Sequence, residues 1–206
     1  MCAQDNPNNR QVVSSTPLFW STAAAFGALW GTVEITLGSF IHTLRIPFSS
    51  AILASIGAAL LIAQRQVVPK RGLSIATALI AALCKSLSPG GVILGPMVGI
   101  TVEGLLVELA LLASSRFVVC AILAGMLAAV WPVFHKLLSG FVFYGTTAVE
   151  LYVAMLQKAN AWLGHADAGW WVVMAFIGII ASIGALGGLF GWCVGKDAAR
   201  SLGATP

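Results

Sequence analysis

The residues in this sequence that could take part in chemistry are a few ionisable side chains within long apolar runs. Glu34, Glu103 and Glu108 are three of only seven acidic residues, and each lies among hydrophobic residues and glycines. An ionised group at the centre of a bilayer costs about 2.5–3.5 kcal/mol on insertion scales, so such residues usually have a partner or a function. Glu34 interrupts AAAFGALWGTVEITLGSFIHTL, a run that otherwise suits lipid.

The composition indicates that these runs lie in a membrane. Of the 206 residues, 59% are hydrophobic and 9% are charged, whereas a soluble domain carries about 25% charged residues. The formal net charge is +4. Because the basic residues fall mainly in short segments between apolar runs, they are typical of a membrane topology signal and not of a nucleic-acid surface. We therefore expect membrane lipid as a partner, and no nucleic acid.

The apolar runs predict the fold class. A helix that crosses a bilayer needs about 20 mostly apolar residues. Six candidate runs occur, at 18–42, 48–63, 73–87, 92–113, 117–144 and 170–194. The predicted fold is therefore all-α, an integral membrane six-helix bundle. Between the fifth and sixth spans, TAVELYVAMLQKANAWL (147–163) places apolar residues at helical spacing against polar ones, which predicts an additional amphipathic helix.

The distribution of basic residues predicts the topology. Six spans put both termini on one side, and that side collects seven basic residues against four on the other. Because positive charge favours the cytoplasmic side, both termini are predicted to be cytoplasmic. The predicted division is a polar N-terminal segment at 1–16, a transmembrane domain at 17–195 and a cytoplasmic tail at 196–206.

With this topology, several polar and aromatic side chains fall in the outer half of the bundle. They are Glu34, His42, Lys85, Trp131, His135 and Lys136. A pocket with apolar walls and a few convergent polar groups suits a small solute, so these are the predicted substrate-binding residues. An alternative stays open, in which Glu34 pairs with Lys85 or Lys136 and joins two helices.

Glu103 and Glu108 do not form a catalytic pair of carboxylates. They lie five positions apart, which is about 140° around a helix. Glu108 is expected to reach the inner boundary or to pair with Arg116. The sequence shows no workable Ser/His or Asp/Asp arrangement, no cysteine pair at metal-binding spacing and no nucleotide motif. We therefore expect a protein that is not an enzyme and that has no cofactor and no metal site.

Small residues recur at four-residue spacing and predict close contacts between helices. Such pairs are Ala24 with Ala28, Gly27 with Gly31, Ala54 with Ala58, Gly184 with Gly188, and Gly187 with Gly191. Most are predicted to join helices of this chain to one another. The stripe in the first span is dense enough to serve a separate subunit as well, so Ala24, Gly27, Ala28 and Gly31 are the predicted docking residues.

Six apolar runs, the stretch AAAFGALWG in the first span and the passage LSPGGVILGPMVGITVEGLL together resemble the substrate-binding subunits (S components) of energy-coupling factor (ECF) transporters. The resemblance covers 17–194. In that family an A-x-x-x-A stripe on the first helix docks on a coupling subunit, and Ala24 and Ala28 match it. The resemblance implies a multi-pass protein of a prokaryotic cytoplasmic membrane, which binds a vitamin-like small-molecule substrate and depends on a coupling transmembrane subunit and ATPases.

Two other functions stay open. An accessory or structural subunit of a respiratory or photosynthetic complex would use Glu34 as a helix contact or against a pigment or lipid. His42 and His135 would then be candidate axial ligands of a tetrapyrrole. A small channel or proton-coupled carrier would use Glu34, Glu103 and Glu108 along a path, but the last three spans do not repeat the first three, as they do in many carriers.

Overall fold

The described part of the chain is built from helices. The computed structural model describes residues 7–44, 48–87, 94–113, 117–147, 150, 153–154, 157 and 168–203, with the backbone alone at 7–16, 42 and 168–169. The helices defined there are α1 (Pro7–Thr43), α2 (Ser49–Val67), α3 (Leu73–Ser86), α4 (Leu94–Leu111), α5 (Val118–Tyr144) and α6 (Ala168–Ser201). The predicted all-α class is confirmed, and each of the six predicted runs contains a helix. The amphipathic helix predicted at 147–163 falls mostly outside the described residues.

Five of these helices, α1, α2, α4, α5 and α6, are long and apolar enough to cross a membrane. Large side chains such as Leu83, Phe143 and Phe190 are exposed on the outside of the bundle, as lipid contact requires. The chain is therefore a multi-pass membrane protein. With 14 residues, α3 is about 21 Å long, against a hydrocarbon core of about 30 Å, so a sixth full crossing stays a prediction.

Helix α2 lies at the centre of the bundle and contacts each of the other five helices. Within an apolar stretch of 18 residues in each membrane-capable helix, the buried share is 61% in α2 and 17–33% in the other four. Contacts around it run from α1 through α3, α4 and α5 to α6, and no contact joins α1 to α6 among the described residues. Leu61 and Ile62 of α2 are fully buried and share one core cluster with Trp30 and Val107.

Glycines bring the helix backbones around α6 into direct contact. A Cβ added at Gly191 would lie 2.5 Å from the carbonyl oxygen of Ala59 on α2. On another face of α6, Gly184 and Gly188 meet the backbone of α5, where Gly125 faces them. No larger side chain fits at these crossings, so the small-residue rows predicted in the last span join helices of this chain.

The glycines and alanines of the predicted docking stripe on α1 face different surroundings. Gly27 and Gly31 are buried against α3, and a Cβ at Gly31 would lie 2.5 Å from Cβ of Cys84. Ala24 and Ala28, by contrast, are exposed. Because α3 already covers the two glycines, the docking prediction narrows to the two alanines.

Both terminal helices extend into the segments predicted to be polar ends. Helix α1 begins at Pro7, with Pro17 inside it, and α6 continues to Ser201. An ion pair of 3.3 Å between Arg200 and Asp197 lies in the last turns of α6, where such pairs support a solvated helix. Hydropathy marks where lipid ends and not where a helix ends, so the division into polar ends and a transmembrane domain at 17–195 stays a prediction.

The contact of α1 with α2 generates a first prediction. A Cβ at Gly57 would lie 2.5 Å from Cε2 of Trp30, whereas one at Gly99 would have nothing within 4 Å. We expect Gly57→Ala to lower the free energy of unfolding by about 1–3 kcal/mol, because a well-packed core does not accept an extra methyl group. Thermal unfolding in detergent measures this. The control, Gly99→Ala, is expected to be neutral or slightly stabilising; equal melting temperatures for both variants would contradict the contact.

Candidate functional site

The bundle has two ends, and each is identified by one residue. The Lys136 end is the end where α2 begins and α5 ends, and the Arg65 end is the opposite one. The direction of each helix follows from the residues that it contacts. Gly27 and then Gly31 of α1, for example, meet successive turns of α3 in chain order, so α1 and α3 run parallel.

Glu34 and Lys85 join α1 to α3 near the Lys136 end. Nζ of Lys85 lies 3.7 Å from Oε2 of Glu34 and donates a hydrogen bond of 2.9 Å to its backbone oxygen. The two side chains keep only 16% and 13% exposure. The carboxylate inside the first apolar run thus has a cation supplied by the protein itself, which is the helix-joining arrangement that the sequence left open.

Glu103 of α4 is a buried acid near this pair. It is 7% exposed, and its Oε2 has no hydrogen-bond partner among the described residues. Next to it, Gly104 packs directly on Ala78 of α3, which fixes α4 against α3. The cation that pairs with Glu34 is thus on α3, while α4 carries a second buried acid, Glu103.

At the Arg65 end, Glu108 connects α2, α3 and α4. Its Oε1 lies 3.3 Å from Nη2 of Arg65, and its two oxygens accept hydrogen bonds from the backbone N–H groups of Gly72, at 2.7 Å, and Ser74, at 3.2 Å. The residue that precedes α3 offers no side-chain cap, so this carboxylate supplies the negative charge that a helix start favours. Arg116, the partner predicted for Glu108, lies outside the described residues.

The remaining predicted substrate-binding residues are divided between two faces of α5. The rings of Trp131 and His135 lie 5.9 Å apart, and His135 sits beside Gly95 of α4. Lys136 instead donates a hydrogen bond of 2.8 Å to Oγ of Ser50 on α2. His42 is described by its backbone alone, so its predicted role is outside what the structure describes.

The contacts therefore distribute the predicted cluster over three interfaces instead of one pocket. Glu34 and Lys85 belong to α1 and α3, Trp131 and His135 to α4 and α5, and Lys136 to α2 and α5. Consecutive residues on a helix point about 100° apart. The sequence predicts that these residues lie at a similar depth in the membrane. Residues at the same depth can still lie on different sides of their helices and therefore face different neighbours.

A cavity of about 370 Å³ opens at the Lys136 end between α2, α5 and α6. Its walls include Phe48, Ser50, Pro132, Lys136 and Phe176, and the two phenylalanine rings lie 5.2 Å apart at 39°. Its volume is within the range of about 300–1,000 Å³ seen for small-molecule sites. Lys136 is the predicted residue that lines it. Sequence reasoning missed Phe48 and Ser50, although the break IPFSS before α2 was the available signal.

A second cavity of about 370 Å³ lies along the groove between α2 and α6. Side chains such as Ile56, Leu60, Leu186 and Phe190 line it, and none of the described residues in its walls is charged. Because nothing in its walls fixes the orientation of a polar solute, the Lys136 cavity is the better candidate site. Among the described residues, no group of three His, Cys, Asp or Glu is arranged to hold a metal ion.

Comparison with known proteins adds no assignment. No protein-family model, no curated protein and no solved structure matches this chain.

The Arg65 end generates a second prediction. Both side chains of its ion pair are 5% exposed, so Glu108→Gln leaves a buried guanidinium without a counter-charge. We expect a loss of about 3–5 kcal/mol in the free energy of unfolding, measured by thermal or denaturant unfolding in detergent.

The exposed pair of Asp197 and Arg200 provides the control. Asp197→Asn should change stability by at most about 1 kcal/mol. Stability of Glu108→Gln equal to that of Asp197→Asn would show that the buried pair contributes nothing. The double variant Arg65→Met/Glu108→Leu is expected to be more stable than Glu108→Gln.

The pair of Glu34 and Lys85 generates a third prediction. Lys85→Met should lower the free energy of unfolding by about 1–3 kcal/mol, less than for a fully buried pair, because the side chains keep 13–16% exposure. Adding Glu34→Gln to Lys85→Met should recover part of the loss, since no unpaired charge remains. Unchanged melting of Glu34→Gln together with lost solute binding would instead identify Glu34 as a ligand contact.

Proposed function

We propose that this chain is the substrate-binding subunit of an ECF-type uptake transporter. In this proposal it lies in a prokaryotic cytoplasmic membrane with both termini in the cytoplasm. It binds a vitamin-like solute at the Lys136 end, facing outward, and docks through α1 on a coupling membrane subunit that ATPases drive. The chain itself carries out no bond chemistry.

The observation that carries the proposal is an exposed row of small side chains on α1. Ala24, Ala28, Thr32 and Thr36 are all exposed. The threonine hydroxyls donate to backbone oxygens one turn earlier, Thr32 to Ala28 at 2.8 Å and Thr36 to Thr32 at 2.7 Å. The row therefore presents a narrow surface with its hydroxyl groups already hydrogen-bonded.

Such a row favours contact with another helix over contact with lipid. At several other places in the bundle a helix covers the small residues, as α3 covers Gly31 and α2 covers Gly191. Association between membrane helices depends on close packing, because lipid and protein are equally apolar. The uncovered α1 row thus has the surface of a docking face for a helix of a separate subunit.

Charge supports the proposed orientation. Arg65, Lys70, Arg71, Lys196 and Arg200 lie on helix ends or connections at the Arg65 end. An excess of basic residues favours the cytoplasmic side. With that end inside, the cavity beside Lys136 opens on the outer side, where a scarce solute is captured.

The docking face generates a fourth prediction. The chain, tagged and expressed in its native host, should co-purify with a coupling membrane protein and ATPases. Ala24→Trp and Ala28→Trp should each reduce that co-purification at least about tenfold, because a large side chain prevents the close approach that membrane helices need. Quantitative mass spectrometry of the purified complex measures this.

Ala175→Trp is the matched control, because Ala175 is also exposed but lies on α6. It should leave the complex intact, and all three variants should keep the melting temperature of the unmodified chain. Normal assembly of both α1 variants would contradict the docking role. Co-purification with electron-transfer subunits and a visible pigment would instead support the accessory-subunit function.

A further inference from the structure

We propose that the cavity at the Lys136 end binds a small organic anion, a carboxylate carried on an apolar body, with Lys136 as its counter-ion. The inference rests on the proposed function, since it names the class of solute for the same cavity.

The charge of Lys136 is the first argument. The other basic side chains with described ionic or ring contacts have different partners: Arg65 has Glu108, Lys85 has Glu34, Arg200 has Asp197, and Lys196 lies over the ring of Trp192. Lys136 contacts the neutral hydroxyl of Ser50. Among the described residues, no aspartate or glutamate lines the cavity, and no carboxylate forms an ion pair with Lys136. Its ammonium group is therefore a cation at the cavity wall without a counter-charge from the part of the chain that the structure describes.

A hydrogen bond from the exposed side chain of Lys136 directs this cation to the wall of the cavity. The hydrogen bond from Lys136 to Ser50, 2.8 Å long, connects α5 to the first turn of α2, and both residues line the cavity. One ammonium hydrogen is used by the hydroxyl, which leaves two donors for a ligand oxygen. Because α2 begins at Ser49, the positive end of its dipole lies in the same wall and adds to the attraction for an anion.

The rest of the wall selects an apolar body. Phe48 and Phe176 present neighbouring rings, and Pro132, Val133 and Ile180 add apolar surface, so that the lining is mainly hydrophobic apart from Lys136, Ser50 and Ser49. A free inorganic anion would leave this surface in contact with water. An anion with a ring or a branched chain fills it, and the volume of about 370 Å³ accommodates such a molecule.

Matched pairs of acids and amides test the charge directly. The probes are benzoate with benzamide, 3-phenylpropanoate with 3-phenylpropanamide, and indole-3-acetate with indole-3-acetamide. Each is titrated against the purified full-length chain in phosphatidylcholine nanodiscs, with binding followed by saturation-transfer NMR and calorimetry. We expect at least one acid to bind about tenfold or more tightly than its amide, since a hydrogen bond to a charged group contributes about 1.5–3 kcal/mol.

Variants assign the preference to one residue. Lys136→Met should remove the advantage of the acid and leave the affinity of the amide within about twofold, because the apolar walls are unchanged. Lys136→Arg should keep the preference. Lys196→Met, the same substitution at the Arg65 end, should have no effect on binding. Leu137→Trp, at an exposed position of the lining, should weaken the binding of acid and amide alike.

Three results would overturn the inference. The first is that no acid binds more tightly than its matched amide. The second is that the preference for the acid persists in Lys136→Met. The third is that the acid no longer binds when the nanodiscs contain phosphatidylglycerol. The last result would assign the cation to a lipid headgroup. None of these measurements requires a partner subunit, so they fail or succeed separately from the docking of α1 on a coupling protein.

Discussion

Direct contact between helix backbones, made where glycine replaces any larger side chain, is the constraint on which the rest of the structure depends. Gly191 against Ala59 and Gly125 against Gly184 bring α2, α5 and α6 together, and Gly31 brings α1 against α3. Inside a bilayer the hydrophobic effect does not drive helices together, because the lipid tails are as apolar as the side chains. Close packing therefore supplies the energy of association. Those crossings fix the directions of the six described helices, and hence which side chains meet.

The charged groups follow from that packing. Close approach of α1 and α3 sets Lys85 beside Glu34, and α4 against α3 sets Glu108 at the start of α3 with Arg65. Each pair is held between helices where water is scarce, so each carboxylate has a cation of the protein. Lys136 differs, because it lines a cavity between α2, α5 and α6. The packing that pairs Lys85 with Glu34 and Arg65 with Glu108 gives Lys136 no carboxylate among the described residues.

The sequence allowed the all-α class and the approximate helix positions to be predicted, because apolar runs of span length have one structural solution in lipid. It also allowed the pairing of Glu34 with Lys85 to be named as an alternative. It did not show that Trp131 and His135 face α4 while Lys136 faces α2, because which side of α5 each neighbour covers depends on tertiary contacts. Phe176 was missed for the same reason: it meets Phe48 only when α6 packs on α2.

We propose that one surface of this bundle docks on a partner and that one end holds a small anion. Native mass spectrometry of the chain, released intact from its own membrane in detergent micelles, tests both parts in one measurement. The account predicts a complex with a coupling membrane subunit and ATPases, which also retains an organic acid that the Lys136→Met form lacks. A chain released alone and without ligand, or joined to pigment-bearing electron-transfer subunits, would contradict it.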